Sequence, residues 1–141
     1  MLQSSDIDNN IKYFEHECET AHFTSLFDES KYHIKEYNQV TSDGYVLKVF
    51  RVRLQQSFLQ NLPSYLKDNI NQPVHIQHGL LGSADDHFIN GSEKSYGHHF
   101  VNKGYDVWVG NNRGNKYSKG HTSQTITKDE FYDFSFQEMG L

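Results

Sequence analysis

The amino-acid sequence predicts an α/β fold in which an antiparallel hairpin is followed by two parallel strands with helices. Short runs with strand character occur at residues 35–41, 45–53, 74–77 and 105–109. The first two flank Asp43-Gly44, a dipeptide typical of hairpin turns. A helical stretch over 92–102 separates the last two, as a parallel crossover requires. This order favours a sheet with an antiparallel edge.

Composition limits the class of protein. The 141 residues suit one domain, and ten Phe and nine Tyr can supply core area that the low hydrophobic content of 35% does not. The net charge is −5 and Lys and Arg are not clustered, so we expect no nucleic-acid partner and no anionic membrane surface. A single cysteine excludes an internal disulfide.

The N-terminal residues predict a helical extension over 1–31 that precedes a partial domain over 32–141. Apolar side chains at helical spacing are Ile7, Ile11, Phe14 and Cys18, and Asp6 could cap a helix over 6–19. The first residues lack a basic segment followed by an apolar one. We therefore expect no signal peptide and no transmembrane span.

The remaining elements follow from local signals. The polar stretch 54–72 predicts a long connection with a helical turn at 64–69. The helix over 92–102 should end before Gly104 as its C′ glycine. The apolar strand over 105–109 predicts that Trp108 is buried between helices. Thr127-x-x-Glu130 is a capping box that should open a final helix over 128–139.

Four segments together resemble the N-terminal part of the acid lipases, the gastric and lysosomal group of α/β-hydrolases. They are the hairpin at 36–47, the Gln-His-Gly-Leu-Leu loop at 77–81, the strand and Gly-Asn-Asn-Arg-Gly-Asn loop at 104–115, and Phe-Ser-Phe-Gln-Glu-Met at 134–139. The resemblance covers roughly residues 32–141. It departs from the family at His87 or Phe88, where Trp is usual, and at Gln137, where an acidic residue is usual.

The resemblance implies an incomplete α/β-hydrolase sheet and one element of a catalytic site. The backbone N–H of Leu80 would donate to the oxyanion, with His78, Gly79 and Leu81 as supporting loop residues. At Gly79 we expect a small residue, and a positive φ, because a substrate carbonyl approaches there. No Gly-x-Ser-x-Gly occurs in the chain, so we expect no catalytic side chain here and a sequence that stops before the nucleophile.

Two functions from different classes are therefore compatible with the sequence. The first is the N-terminal segment of an enzyme that hydrolyses lipid esters, inactive alone, without cofactor or metal. The alternative is a non-catalytic, lipase-derived module that binds a partner protein or a lipid. Another chain could complete the open edge of the sheet in either case. The resemblance implies a lysosomal, secreted or lipid-associated location.

Other candidates are weaker. Ser123, in Gly-His-Thr-Ser-Gln, has the wrong offset for a nucleophile elbow and no strand before it. Nine histidines show no metal-binding spacing. The loop at 110–114 lacks the ending of a phosphate-binding loop, and Arg113 should instead lock it by pairing with a carboxylate or carbonyls. Asn90-Gly91-Ser92 is a glycosylation sequon, relevant if the chain is secreted.

Overall fold

The structure is a computed structural model that describes residues 11–14 and 22–140. The strands are β1 (Lys12–Tyr13), β2 (Tyr32–Val40), β3 (Tyr45–Leu54), β4 (Pro73–Gln77), β5 (Asp106–Gly110) and β6 (Gly120–His121). The helices are α1 (Gln56–Gln60), α2 (Tyr96–Asn102), α3 (Lys128–Phe131) and α4 (Phe136–Met139). Short 3₁₀ turns occupy Phe23–Leu26, Ser64–Asn69 and Ala84–His87. None of the described helices is long and apolar enough to cross a membrane.

The strands form one mixed sheet around β3. Its whole length pairs antiparallel with β2, while its other side pairs with β6 at Tyr45 and Val46 and with β5 from Phe50 to Val52. Strand β4 pairs with β5 in parallel. Among the described strands β4 has no second neighbour, so it forms an edge. The predicted hairpin, parallel pair and open α/β sheet are confirmed.

Aromatic side chains build the core on one face of the sheet. Phe23 stacks on Phe50 with ring centroids 4.2 Å apart, and the edge of Phe88 meets Phe23 at 5.3 Å. Val107 and Val109 of β5 are completely buried on the same side. The high aromatic content therefore supplies the buried area, as the composition predicts. Phe23 belongs to this core although it lies before residue 32, where the sequence analysis begins the partial domain. The boundary between residues 31 and 32 stays a prediction.

Trp108 lies on the opposite face of the sheet, and the prediction that it is buried between helices is wrong. Trp108 is half-buried, because side chains alternate along β5 and Trp108 points away from the core. The centre of its ring lies 4.8 Å from the guanidinium carbon of Arg51 and 5.4 Å from the centre of the Tyr37 ring. Arg51 also forms a two-pronged ion pair with Asp106, at 2.8 and 2.6 Å. Side chains of neighbouring strands, and not two helices, cover the indole.

The predicted helix over 6–19 is wrong where the structure describes it. Lys12 and Tyr13 form β1, which pairs antiparallel with β6. Gly120 permits this approach, since a Cβ there would come within 2.9 Å of Ile11 and 3.0 Å of the Tyr13 ring. Residues 6–10 and 15–19 of the predicted helix, with Ile7, Cys18 and the Asp6 cap, lie outside the described residues.

The final helix is also not continuous. Helices α3 and α4 are separated by residues 132–135, and each begins with its own capping box. Thr127 and Glu130 form the predicted box, while Ser135 and Glu138 form a second that competes with helix continuation. Helix α2 is shorter than predicted, beginning at Tyr96, and Gly104 lies beyond its end with φ +93° as expected.

Candidate functional site

The loop that follows β4 makes a tight, exposed turn over residues 79–82. The Gly82 N–H donates to the Gly79 carbonyl at 3.1 Å. Leu81, the third residue of the turn, has φ +65°, a value that type II turns require and that leucine rarely adopts. The Leu80 and Leu81 side chains are 76% and 97% exposed. The turn therefore presents two leucines and its backbone to the surroundings.

A buried histidine holds this turn from below. His78 Nδ1 lies 2.7 Å from the Gly79 carbonyl oxygen, and Nε2 lies 3.0 Å from the backbone N of Asn112. Because a carbonyl only accepts and a backbone N–H only donates, the proton sits on Nδ1 and Nε2 accepts. Asn115 Nδ2 approaches Nε2 as a second donor at 3.1 Å. The ring is fully engaged in joining the turn to the loop after β5.

The expectation of a positive φ at Gly79 is wrong, because the left-handed conformation falls on Leu81. A Cβ at Gly79 would meet no heavy atom of the described chain within 4 Å. Within the described residues, the backbone N–H groups of Leu80 and Leu81 make no hydrogen bond. Gly79 therefore lies beside open space and directly before the Leu80 N–H, which has no hydrogen-bond partner among the described residues. The role of Leu80 as an oxyanion donor stays a prediction.

Two asparagines that the sequence analysis did not single out organise the loop after β5. Asn111 accepts from the Ala84 N–H and donates to the Lys48 carbonyl, both at 3.0 Å. Asn115 donates to Asn111 Oδ1 at 2.9 Å and accepts from the Tyr117 and Ser118 N–H groups. The signal that could have predicted these contacts is the high asparagine content of the loop, since asparagine side chains form hydrogen bonds with backbone groups in loops.

Arg113 locks the same loop, as the sequence analysis expects. Its guanidinium is buried, donates to Asp43 Oδ2 at 2.5 Å and lies 4.2 Å from the centre of the Tyr45 ring. The hydrogen bond from Arg113 holds the pKa of the Asp43 carboxyl below its usual value. Asp43 belongs to the β2–β3 turn, so this pair ties the hairpin to the candidate site.

Asp85 makes a second connection between the two loops. Its carboxylate accepts from Lys116 Nζ and from the Tyr117 hydroxyl, both at 2.6 Å. Burial, and then the hydrogen bond to Asp85, raise the pKa of Tyr117 above its usual value. Tyr117 is therefore a neutral donor at physiological pH. Together with His78 and Asn111, this contact fixes the turn against the loop after β5.

A cleft of about 510 Å³ lies beside the turn. Its walls come from the turn, from the loop after β5 and from the segment that joins α3 to α4 and continues into α4. Leu80, Leu81, Tyr132, Phe134 and Met139 give it an apolar lining, and Arg113 and Asn115 contribute polar groups. An apolar cleft with a few convergent polar groups is the usual form of a small-molecule site.

The structure also places the remaining candidate residues of the sequence analysis, Ser123 and the histidines. Ser123 Oγ contacts Thr125 Oγ1 at 3.2 Å, and the Ser123 N–H donates to His121 Nδ1. Within the described residues the serine hydroxyl makes no hydrogen bond with a histidine, and His121 Nδ1 already accepts from the Ser123 backbone. Residues 11–14 and 22–140 contain no group of three His, Cys, Asp or Glu side chains placed to hold a metal ion.

The comparisons agree with the fold and the loop. The family model described as the partial alpha/beta-hydrolase lipase region matches residues 23–91. Lipase member M of Mus musculus is 40% identical over 116 residues, which are 82% of this chain and 26% of that lipase. Triacylglycerol lipase 1 of Arabidopsis thaliana is 37% identical, over 82% of this chain and 27% of that protein.

A gastric relative matches in the same way. Gastric triacylglycerol lipase of Rattus norvegicus is 36% identical over 108 residues, or 77% of this chain and 26% of that lipase. The chain thus spans about a quarter of the length of these relatives. The matched region includes the hairpin, β4 and the turn at 79–82. By this match and by its sheet, the chain carries a partial alpha/beta-hydrolase lipase region and is similar to the gastric and other lipases named above.

Proposed function

We propose that this chain supplies the oxyanion-binding half of a site that hydrolyses lipid esters. The observation that carries the proposal is the Leu80 N–H, which has no hydrogen-bond partner in the described residues and lies in a turn held from below by His78. Catalysis by serine esterases requires donors that are fixed before charge develops on the carbonyl oxygen. The hydrogen bonds of His78 hold the turn in place, and the turn lies beside an apolar cleft; both observations support the proposal.

The chain alone has no means to complete the reaction. Acyl transfer needs a nucleophile and a base in addition to the oxyanion donors. The sequence contains no Gly-x-Ser-x-Gly, and within the described residues Ser123 Oγ forms a hydrogen bond only with Thr125. We therefore infer that hydrolysis requires a nucleophile and a histidine from outside these 141 residues. The acyl-chain or sterol preference would depend on those parts as well.

The experiment uses a longer protein that carries this region together with the nucleophile, acid and histidine of the family. Leu80→Pro removes the backbone N–H, and Leu80→Ala is the matched control that keeps it while deleting the side chain. If Leu80 donates to the oxyanion, kcat for a short-chain ester should fall about 10²–10³-fold in Leu80→Pro. In Leu80→Ala it should change little. Equal turnover of a folded Leu80→Pro protein contradicts the proposal.

A second experiment tests the inactivity of the chain alone. Purified chain and its Ser123→Ala variant are compared on a chromogenic ester. Both should hydrolyse it at the rate of the buffer. Activity that Ser123→Ala abolishes would show that a nucleophile had been overlooked. Tight binding of lipid vesicles without turnover in the longer protein would instead favour the non-catalytic module.

A further inference from the structure

The only Asn-x-Ser/Thr sequence in the 141 residues is Asn90-Gly91-Ser92. It lies between the 3₁₀ turn Ala84–His87 and α2. Its middle residue is glycine and not the proline that prevents modification of such a tripeptide. Neither the cleft nor the turn at 79–82 includes any of the three residues. The proposed hydrolytic role therefore leaves this tripeptide unexplained.

The backbone turns sharply at this point and holds the tripeptide in an ordered loop. The Gly91 N–H donates to the Phe88 carbonyl at 3.0 Å, and the Gly91 carbonyl accepts from the Ser95 N–H at 3.0 Å. Gly91 itself has φ +78°, a conformation that glycine adopts without strain. The turn places Asn90 and Ser92 on either side of the glycine, and both are exposed.

The surroundings leave room for a large substituent. The Asn90 side-chain amide makes no hydrogen bond with the described residues, so its modification would break no contact there. A Cβ at the neighbouring Gly91 would meet no heavy atom within 4 Å. Ile89, next to Asn90, is 65% exposed. A sugar chain at Asn90 would extend into solvent and could cover this isoleucine.

We propose that Asn90 is an acceptor for N-linked oligosaccharide. In the transfer, Asn90 Nδ2 attacks the anomeric carbon of an oligosaccharide carried on a lipid diphosphate. A carbon–nitrogen bond forms, the bond from that carbon to the diphosphate oxygen breaks, and the lipid diphosphate leaves with the electron pair. One amide proton is released. The Ser92 hydroxyl is the second recognised group of the tripeptide.

The modification requires that the protein enter the secretory pathway, because oligosaccharide is transferred to such asparagines in secreted proteins. The family resemblance implies such a route, although the first residues lack a basic segment followed by an apolar one. It is independent of the oxyanion role of Leu80, since Asn90 does not line the cleft. A glycan here would leave the turn at 79–82 accessible. Loss of the glycan should therefore change the apparent mass and solubility of the protein, and not its turnover of a soluble ester.

The test is peptide mass spectrometry of the protein purified from the cells that make it. Peptide-N-glycosidase treatment in ¹⁸O-labelled water should convert Asn90 into labelled aspartate, while the untreated sample should lack the unmodified peptide. When the same gene is expressed in eukaryotic secretory cells, Asn90→Gln should remove the glycosidase-sensitive gel shift. Ser92→Thr should keep the shift, and so should Asn61→Gln, the matched control at an exposed asparagine outside a sequon.

Two results would overturn the proposal. One is a native protein in which the peptide with unmodified Asn90 is recovered in full without glycosidase. The other is a gel shift that persists in Asn90→Gln. A longer protein that carries the nucleophile, acid and histidine, is modified at Asn90 and is inactive on esters would support the glycosylation and contradict the hydrolytic role, so the two proposals fail separately.

Discussion

At the scale of single residues, the candidate site depends on a few buried polar side chains that connect loops. His78, Asn111 and Arg113 are all nearly inaccessible, and each reaches from one loop to another. A buried polar group is costly unless its hydrogen bonds are made, so each of these side chains specifies one arrangement of the loops. This rigidity is what an oxyanion donor requires, because its N–H must be in place before the reaction.

The Arg113–Asp43 pair gives an asymmetric prediction. The Arg113 side chain is 3% exposed and that of Asp43 is 46% exposed. Asp43→Ala should lower the free energy of unfolding by about 1–3 kcal/mol, because it leaves the donors of a buried guanidinium without their carboxylate acceptor. Arg113→Met should cost less, since the carboxylate left behind is hydrated and the methionine retains part of the packing on Tyr45. Urea unfolding measures both, and equal losses would contradict this account.

Two glycines give a second prediction at this scale. A Cβ at Gly97 would lie 2.6 Å from the His87 carbonyl oxygen and 2.6 Å from the Phe88 ring, so Gly97→Ala must displace backbone or a core side chain. Overpacking of this kind costs about 1–3 kcal/mol. Gly79→Ala, which meets open space at a φ that is not positive, should leave the unfolding midpoint unchanged. A large loss at Gly79 would show that the turn tolerates no side chain.

At the scale of elements, strong local signals predicted the structure well. Asp43-Gly44 marked the hairpin, and Gly104 marked the end of α2. The two errors have different causes, an overlooked local signal and a long-range pairing. Ser135-x-x-Glu138 is a capping box inside the predicted final helix, and it starts α4. The N-terminal stripe fits helical spacing, but β1 is set by its pairing with β6, more than 100 residues away.

Trp108 permits a direct test of how the sheet is covered. The indole is half-buried on the face opposite the aromatic core, beside Arg51 and Tyr37. Its fluorescence should therefore be quenched substantially by acrylamide in the folded chain. Because Trp108 is the only tryptophan, the signal has one source. A blue-shifted emission that acrylamide does not quench would restore the earlier expectation of burial between two elements.

At the scale of the whole molecule, the candidate site could be predicted only in part. The sequence and the resemblance located the turn after β4 and the role of Arg113. They did not show the two asparagine bridges, because a loop side chain can be assigned a partner only when the fold brings distant segments together. They also placed the positive φ at Gly79, whereas the turn puts it at Leu81. Backbone strain at a leucine has no signature in composition or periodicity.

The buried histidines make the stability of the whole chain depend on pH. Burial lowers the pKa of His87 and of His98 below the ordinary value of 6.5. His98 lies among the rings of Phe27, Tyr32 and Phe88, with the charge of Lys31 lowering its pKa further. The carboxylate of Asp86 raises the pKa of His87, but by less than burial lowers it. In both residues the folded state disfavours the protonated ring.

The sign of the effect follows from proton uptake. Below pH 6.5 the unfolded chain binds protons at these histidines that the folded chain does not, so acid favours unfolding. The contribution of these histidines to the free energy of unfolding should be greatest above pH 6.5, fall as the pH is lowered below 6.5, and level off below their folded-state pKa values. The variant His98→Leu removes one titrating group and one buried nitrogen without a partner in the described residues, so its profile should fall less steeply. Urea unfolding at a series of pH values measures this slope, with a substitution of the exposed His75, His75→Leu, as control. A profile that His98→Leu leaves unchanged would mean that water reaches the imidazole, and that its burial does not govern the acid sensitivity of the fold.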